Sequence, residues 1–87
     1  MKIMMKKLLS SSLNSVFAVE QLFDEIKKTE DENIILDFSG IQFVALSFAQ
    51  AYVASKKQCE KNITELNVSD ENKITLNIPA QSVMRFE

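Results

Sequence analysis

Asp37 is the first residue whose position suggests chemistry, because it lies in the apolar run of residues 34–38. A carboxylate in a buried strand is costly unless it accepts hydrogen bonds, and such a group can also serve a functional role. More often, an Asp near the end of a strand accepts hydrogen bonds from the loop that follows. We therefore expect a structural role for Asp37, with Ser39 or Ser47 as the donor.

Ser47 allows two interpretations, since it lies where a strand is predicted to pass into a helix. The first, which we favour, is that its hydroxyl caps the helix and that Gln50, three residues later, completes a capping box. The second is phosphorylation. A phosphate at Ser47 would meet the free amides of the helix end and add about two negative charges to an exposed loop. Such a charge would repel an acidic partner without unfolding the domain.

The composition disfavours several other kinds of chemistry. The chain of 87 residues has no His, one Gly and one Cys, so it lacks the usual proton shuttle, the commonest metal ligand and a glycine-rich phosphate loop. Lys56 and Lys57 are expected to face solvent on a helix flank. The net charge of −2, from 10 Lys and Arg against 12 Asp and Glu, disfavours a nucleic acid partner. We predict no enzyme activity, no cofactor and no metal site.

Length and patterning predict a single domain over residues 1–87. The single cysteine means that the chain needs no oxidising compartment, so we expect a cytoplasmic location. Cys59 has no second Cys with which to form an internal disulfide, and we interpret it as a small buried hydrophobe. No apolar run reaches the roughly 18–20 residues of a membrane span, and the serines after Leu9 are too polar for a signal peptide. We therefore expect no membrane partner.

Hydrophobic periodicity predicts that strands and helices alternate along the chain. The run at 34–38 is continuously apolar, as in a central strand that is covered on both faces. Phe38, Phe43 and Phe48 are expected to fill the core. The predicted elements are a strand at 3–9, a helix at 13–28, a strand at 34–38, a helix at 47–60 and a strand at 63–68.

The C-terminal stretch supports two predictions. Residues 69–72 could cap a short helix that Pro79 ends, whereas residues 74–78 alternate between apolar and polar as in a strand. We favour the strand, with Pro79 at its end. Strands that are joined by helices pair in parallel. The predicted class is therefore α/β, with a small mixed or mostly parallel sheet and helices on one side.

One stretch of the sequence resembles a known family. It reads IILDFSGI at residues 34–41, FV at 43–44 and SFA at 47–49. This pattern looks like the signature of the STAS-like domains of unknown function, which are relatives of the anti-sigma-factor-antagonist domains. The resemblance extends over residues from about 8 to 68. It implies a small sheet with helices packed on one side, and a regulatory, protein-binding role rather than catalysis.

The same resemblance implies a site of modification. In antagonist domains, a partner kinase phosphorylates a serine in the loop after the corresponding strand, and that serine falls on Ser47 here. Ala45, Leu46 and Phe48 stand where that motif has Asp, its first Ser and Gly. The implied partner is a protein, either a kinase-like ATPase or another regulator, and a homodimer is a further option.

The predicted binding surface is the loop around residues 39–50, beside the carboxyl end of the central strand, where open α/β sheets place their ligands. Two alternatives stay open. One is a small-molecule or nucleotide-binding domain that uses the same crevice, and the other is a structural subunit that dimerises through an exposed sheet edge. The candidate partner-binding residues are Ser39, Gly40, Gln42, Ser47 and Gln50, with Asp37 as their support.

Overall fold

Strands and helices alternate along the chain in the computed structural model, which describes the backbone of residues 1–85 and the side chains of residues 1–77. This alternation confirms the predicted α/β class. The strands are β1 (Lys2–Met4), β2 (Ser12–Leu13), β3 (Asn33–Asp37), β4 (Phe43–Val44) and β5 (Asn62–Leu66). The helices are α1 (Met5–Leu8), α2 (Val16–Lys28), α3 (Leu46–Gln58) and α4 (Asp70–Arg85).

The main sheet is parallel and has the strand order β1-β3-β5. Its central strand is β3, as predicted, in which Leu36 pairs with Ile3 on one side and with Glu65 on the other. Both connections step in the same direction across the sheet, and right-handed crossovers of this kind place their helices on one face. The burial agrees, because Ile34 and Leu36 are completely buried on that face, whereas Asn62 on the opposite face is exposed.

The core lies between this face of the sheet and the helices. Phe48 and Tyr52 of α3 are buried there with their rings stacked, the centroids 6.0 Å apart. Burial of one large apolar side chain stabilises the fold by roughly 1.5–3 kcal/mol relative to its exposure. The side chains that α2 buries recur at spacings of three and four residues, as on one face of a helix; they are Val19, Leu22, Phe23 and Ile26.

Helix α2 begins later than the predicted helix at 13–28. Ser15 is its N-cap, since the Ser15 hydroxyl accepts a hydrogen bond from the Ala18 amide at 3.2 Å. Leu13 lies instead in β2, where it is fully buried and pairs in parallel with Val44 of β4. A ladder of two residues is too short to leave a periodic signal, so the sequence does not predict it.

The predicted strand at residues 3–9 is wrong beyond Met4. The following residues form the single turn of α1, in which Met5 is buried and Leu8 is half-buried, while Lys6 is exposed. A spacing of three between inward-facing residues suits a helical turn and not a strand. The early end of β1 matches its partner strand, because Met4 pairs with Asp37, the last residue of β3.

The predicted strand at residues 74–78 is also wrong, because this stretch lies within α4. In a strand, Ile74 and Leu76 would face the same side. Ile74 is instead 64% exposed, while Leu76 and Asn72, four residues apart, face inward, as neighbours on one side of a helix do.

A side-chain cap explains why α4 forms. The Ser69 hydroxyl accepts a hydrogen bond from the Asn72 amide at 3.2 Å, the N-cap geometry that the alternative helix prediction required. The helix does not end at Pro79 but continues to Arg85. Within the described residues, neither α4 nor any other helix is both long enough and apolar enough to cross a membrane.

Cys59 follows the last residue of α3, and its amide donates a hydrogen bond to the Lys56 carbonyl at 3.2 Å. Its side chain is half-buried against the core rather than fully buried as predicted. The predicted helix at 47–60 is therefore slightly displaced, since α3 runs from Leu46 to Gln58.

The Lys61 side chain caps the C-terminal end of α2. Its ammonium group donates hydrogen bonds to the carbonyl oxygen of Ile26, at 2.9 Å, and to that of Thr29. Carbonyl groups in the last turn of a helix have no partner within the helix, and a cation at that end also suits the helix dipole. Lys61 thus ties the start of β5 to the end of α2.

Replacing Lys61 with Met should leave these carbonyls without their charged donor while keeping a similar alkyl chain. We expect the free energy of unfolding to fall by about 1–2 kcal/mol, measured by urea denaturation. The matched control is Lys73→Met at an exposed position of α4, which should change that free energy by less than about 0.5 kcal/mol. Equal losses in the two variants would contradict the role assigned to Lys61.

Candidate functional site

The buried carboxylate of Asp37 lies at the carboxyl end of the sheet and is surrounded by donors. Its Oδ1 accepts hydrogen bonds from the Ser39 amide at 2.9 Å, from the Ser39 hydroxyl at 2.6 Å and from the Asn67 side-chain amide at 3.0 Å. The Lys2 ammonium lies 3.4 Å from Oδ2. The predicted structural role and the donor Ser39 are confirmed, whereas Ser47, the other predicted donor, is not among these partners.

These donors also set the charge of the site. The hydrogen bonds from Asn67 and Ser39 hold the pKa of Asp37 well below its usual range, and they outweigh the effect of burial, which acts in the opposite direction. Asp37 is therefore ionised at neutral pH and fully engaged. A carboxylate in this state fixes the strand ends and does not serve as a proton donor.

The turn after β3 has little conformational freedom. Gly40 adopts a φ of 79°, in the left-handed region, and a Cβ at this position would lie 2.9 Å from Cδ of Lys6. Ile41 is buried, and the Gln42 amide donates a hydrogen bond to the Ser11 carbonyl at 2.8 Å. The buried Ile41 side chain and the Gln42 amide thus anchor the backbone of the loop, while the Gln42 side chain is exposed.

The candidate partner-binding residues are all exposed. Accessibility is the condition that binding requires, but it does not test binding, so their role stays a prediction. Ser39 already donates its hydroxyl to Asp37. Ser47 and Gln50 lie about one helical turn apart on α3, and their side chains therefore leave the same side of the helix. The set comprises Ser39, Gly40, Gln42, Ser47 and Gln50.

The predicted capping box of Ser47 and Gln50 is wrong. The N-cap of α3 is Ala45, which offers no side-chain acceptor, and Ser47 is the second residue inside the helix. The reason lies in the preceding ladder, because the Ala45 amide donates to the Leu13 carbonyl at 2.8 Å and this pairing brings the helix start forward. The first amides of α3 therefore have no side-chain cap.

Four large apolar side chains are exposed within the loop at residues 39–50 or at the start of α2, and we call them the apolar patch. Because β2 and β4 are paired and each leads directly into a helix, the first turns of α2 and α3 start side by side. The members of the patch lie on β4 and on these two turns. They are Val16, Phe17, Phe43 and Leu46, exposed by 50%, 72%, 53% and 45%.

The patch corrects one prediction about the core. Phe38 and Phe48 are buried as predicted, but Phe43 faces outward. Side chains alternate along a strand, so only one of the neighbours Phe43 and Val44 can point into the core, and Val44 does. Had residues 43–44 been interpreted as a strand, the alternation of side chains would have predicted that only one of Phe43 and Val44 is buried.

A second polar cluster lies on the helix-covered face of the sheet. The Tyr52 hydroxyl donates to Oε2 of Glu65, and the Lys56 ammonium donates to the same oxygen at 2.7 Å. Burial, together with the neighbouring Glu65 carboxylate, raises the pKa of Tyr52 well above its usual range. Lys56 is half-buried, so the prediction that it faces solvent is wrong, whereas Lys57 is exposed as predicted.

Comparison of the chain with protein-family models, with curated proteins and with solved structures finds no match. The resemblance to STAS-like domains therefore stays a prediction that rests on residues 34–49. Within the described residues, no group of three or more Asp, Glu or Cys side chains is placed to hold a metal ion.

Replacing Asp37 with Asn should destabilise the protein at neutral pH and progressively less in acid. The pKa of Asp37 is lowered by folding, so its contribution to stability is complete above its unfolded value of about 3.9 and is lost as the pH falls towards the folded-state pKa. We therefore expect the difference in urea midpoint between wild type and variant to shrink below about pH 4.

The exposed Asp24 provides the control, because Asp24→Asn removes a carboxylate from the outer side of α2. Its urea midpoint should follow that of the wild type from neutral pH into acid. A gap for Asp37→Asn that stayed constant over the whole range would show that the variant loses packing rather than a charged interaction.

Proposed function

We propose that this chain is a non-enzymatic regulatory module of STAS-like type, and that it binds a protein partner through the loop at residues 39–50 and the apolar patch. The observation that carries the proposal is the patch, in which aromatic and aliphatic side chains are about half exposed or more. Large apolar side chains that are exposed in one region of a monomeric domain are candidates for an interaction site. The partner surface that would cover it is itself largely apolar.

The arrangement of the patch supports protein recognition. Phe43 and Leu46 are flanked along the chain by the exposed polar residues Gln42 and Ser47. Interfaces combine an apolar centre, in which aromatic residues dominate the binding energy, with a polar rim that remains hydrated. The frame beneath is rigid, since Val44 and Phe48 anchor the same segment in the core. A preformed surface loses little conformational entropy on binding.

Phosphorylation of Ser47 is the regulatory input that fits this surface. The hydroxyl is exposed at the second position of α3, where the helix has no side-chain cap. A phosphate there would be stabilised by the free amides and the positive end of the helix dipole. It would also place charge beside Leu46, and an apolar partner would have to bury that charge at a high cost in free energy.

Substitutions in the patch test the binding proposal directly. Phe43→Ser and Leu46→Gln should each weaken partner binding by about tenfold or more, because central apolar residues cost about 1–2 kcal/mol or more when truncated. The matched control is Leu66→Gln, an exposed apolar residue on the opposite face of the sheet. The partner, once purified from the native host, would be titrated calorimetrically against each variant.

Three outcomes would contradict the proposal. Binding that survives both patch substitutions, or that Leu66→Gln weakens equally, would place the interface elsewhere. Light scattering at two protein concentrations could also reveal a homodimer that Phe43→Ser dissociates. The patch would then be covered by a second copy of the chain and not by a different protein.

Ser47→Glu should lower partner affinity while leaving the fold intact. A carboxylate near the start of a helix is worth about 0.3–1 kcal/mol of favourable dipole interaction, so the thermal midpoint should stay within a few degrees of the wild-type value. Ser47→Gln has a similar size without the charge and should bind as the wild type does. Equal affinities for the Glu and Gln variants would argue against control by charge at this position.

A further inference from the structure

A groove of about 400 Å³ lies between α3, β5 and α4, away from the loop at residues 39–50, and we call it the α3–β5 groove. Concave sites that combine apolar walls with a few convergent polar groups are where small ligands bind. Here the apolar wall comes from Val53 of α3 and Leu76 of α4. The polar side chains that line it, among those described, include Lys56, Lys57, Glu65 and Asn77.

The polar side of the groove is held in place by the buried Tyr52. Its ring stacks on Phe48 and lies 6.0 Å from Phe23 by ring centroids, so the phenol has a fixed position. Its hydroxyl donates to Glu65, which also accepts the Lys56 ammonium. Preorganised polar groups of this kind bind a ligand without first having to be ordered.

The charges of the groove favour an anion. Glu65 contributes one negative charge, but its Oε2 already accepts two donors, so a cationic ligand would have to compete with Lys56 for it. Lys57 adds a second ammonium group on the same rim, and it is exposed. Among the side chains that the structure describes, two lysines against one engaged carboxylate give the groove a surplus positive charge, which attracts a carboxylate.

We propose that the α3–β5 groove binds a small aliphatic carboxylate. Its carboxylate group would face the ammonium groups of Lys57 and Lys56, and its alkyl chain would lie along Val53 and Leu76. This site is independent of the proposed protein interface, since none of its residues belongs to the loop at 39–50 or to the apolar patch.

The test is a titration of the isotope-labelled protein with hexanoate at constant ionic strength, followed by NMR. We expect saturable shifts of the Val53 and Leu76 backbone amides. Two comparison ligands have the same chain length, namely 1-hexanol, without charge, and hexylammonium, with the opposite charge. Each should bind about tenfold more weakly than hexanoate. Equal binding of 1-hexanol, tighter binding of hexylammonium, or no saturable shift with hexanoate would overturn the proposal.

Two variants make the test specific to the charges. Lys57→Met should weaken hexanoate binding about fivefold or more, whereas Glu65→Gln, which removes the opposing charge and can still accept from Tyr52, should leave it unchanged or tighten it. Lys7→Met serves as the control, because this exposed lysine lies on α1 next to β1, the edge strand opposite β5, and the variant should bind hexanoate as the wild type does. The proposal is wrong if Lys57→Met binds hexanoate normally, or if Glu65→Gln abolishes binding in a protein whose spectrum remains folded.

Discussion

The ionised carboxylate of Asp37 connects β1 with the carboxyl ends of β3 and β5 in the main sheet. It contacts the Lys2 ammonium of β1 and accepts a hydrogen bond from the Ser39 hydroxyl in the turn after β3. It also accepts a hydrogen bond from the side-chain amide of Asn67 just after β5. Parallel strands have no hairpin to fix their relative positions. Asn67 reaches the carboxylate from a left-handed backbone conformation with a φ of 59°, which Asn tolerates better than most residues. The Asp37 carboxylate thus helps to hold the three strands in register, although no hairpin joins them.

The loop that follows depends on this arrangement. Once Asp37 and Ser39 fix the end of β3, Gly40 turns the chain against the alkyl chain of Lys6, and β4 forms beside β2. Side chains alternate along β4, so that Val44 points into the core and Phe43 faces the surface. The exposure of the Phe43 ring is therefore a consequence of how the end of β3 is held.

The sequence predicted the elements whose signal spans their whole length, such as the continuous apolar run of β3 and the inward face of α2. It did not predict α1 or the β2–β4 ladder, because two to four residues carry no period. At the site, the bond from Ser39 to Asp37 was predictable because the residues are neighbours in the chain. The bonds from Asn67 and Lys2 were not, since they depend on which strands lie side by side.

Helix α3 contributes residues to both proposed binding surfaces, and the helix dipole explains which charge each of its ends favours. Its N-terminal end has free amides and no cap, so it favours negative charge near Ser47, while cations in its last turn, Lys56 and Lys57, suit the negative end of the dipole. From Ser47 to Lys56 the helix rises by about 14 Å, at about 1.5 Å per residue. The lysine pair would be expected at this position for helix stability alone. Only the placement of Glu65 and Leu76 opposite that pair turns an ordinary helix end into the wall of a groove, and that placement belongs to the tertiary structure.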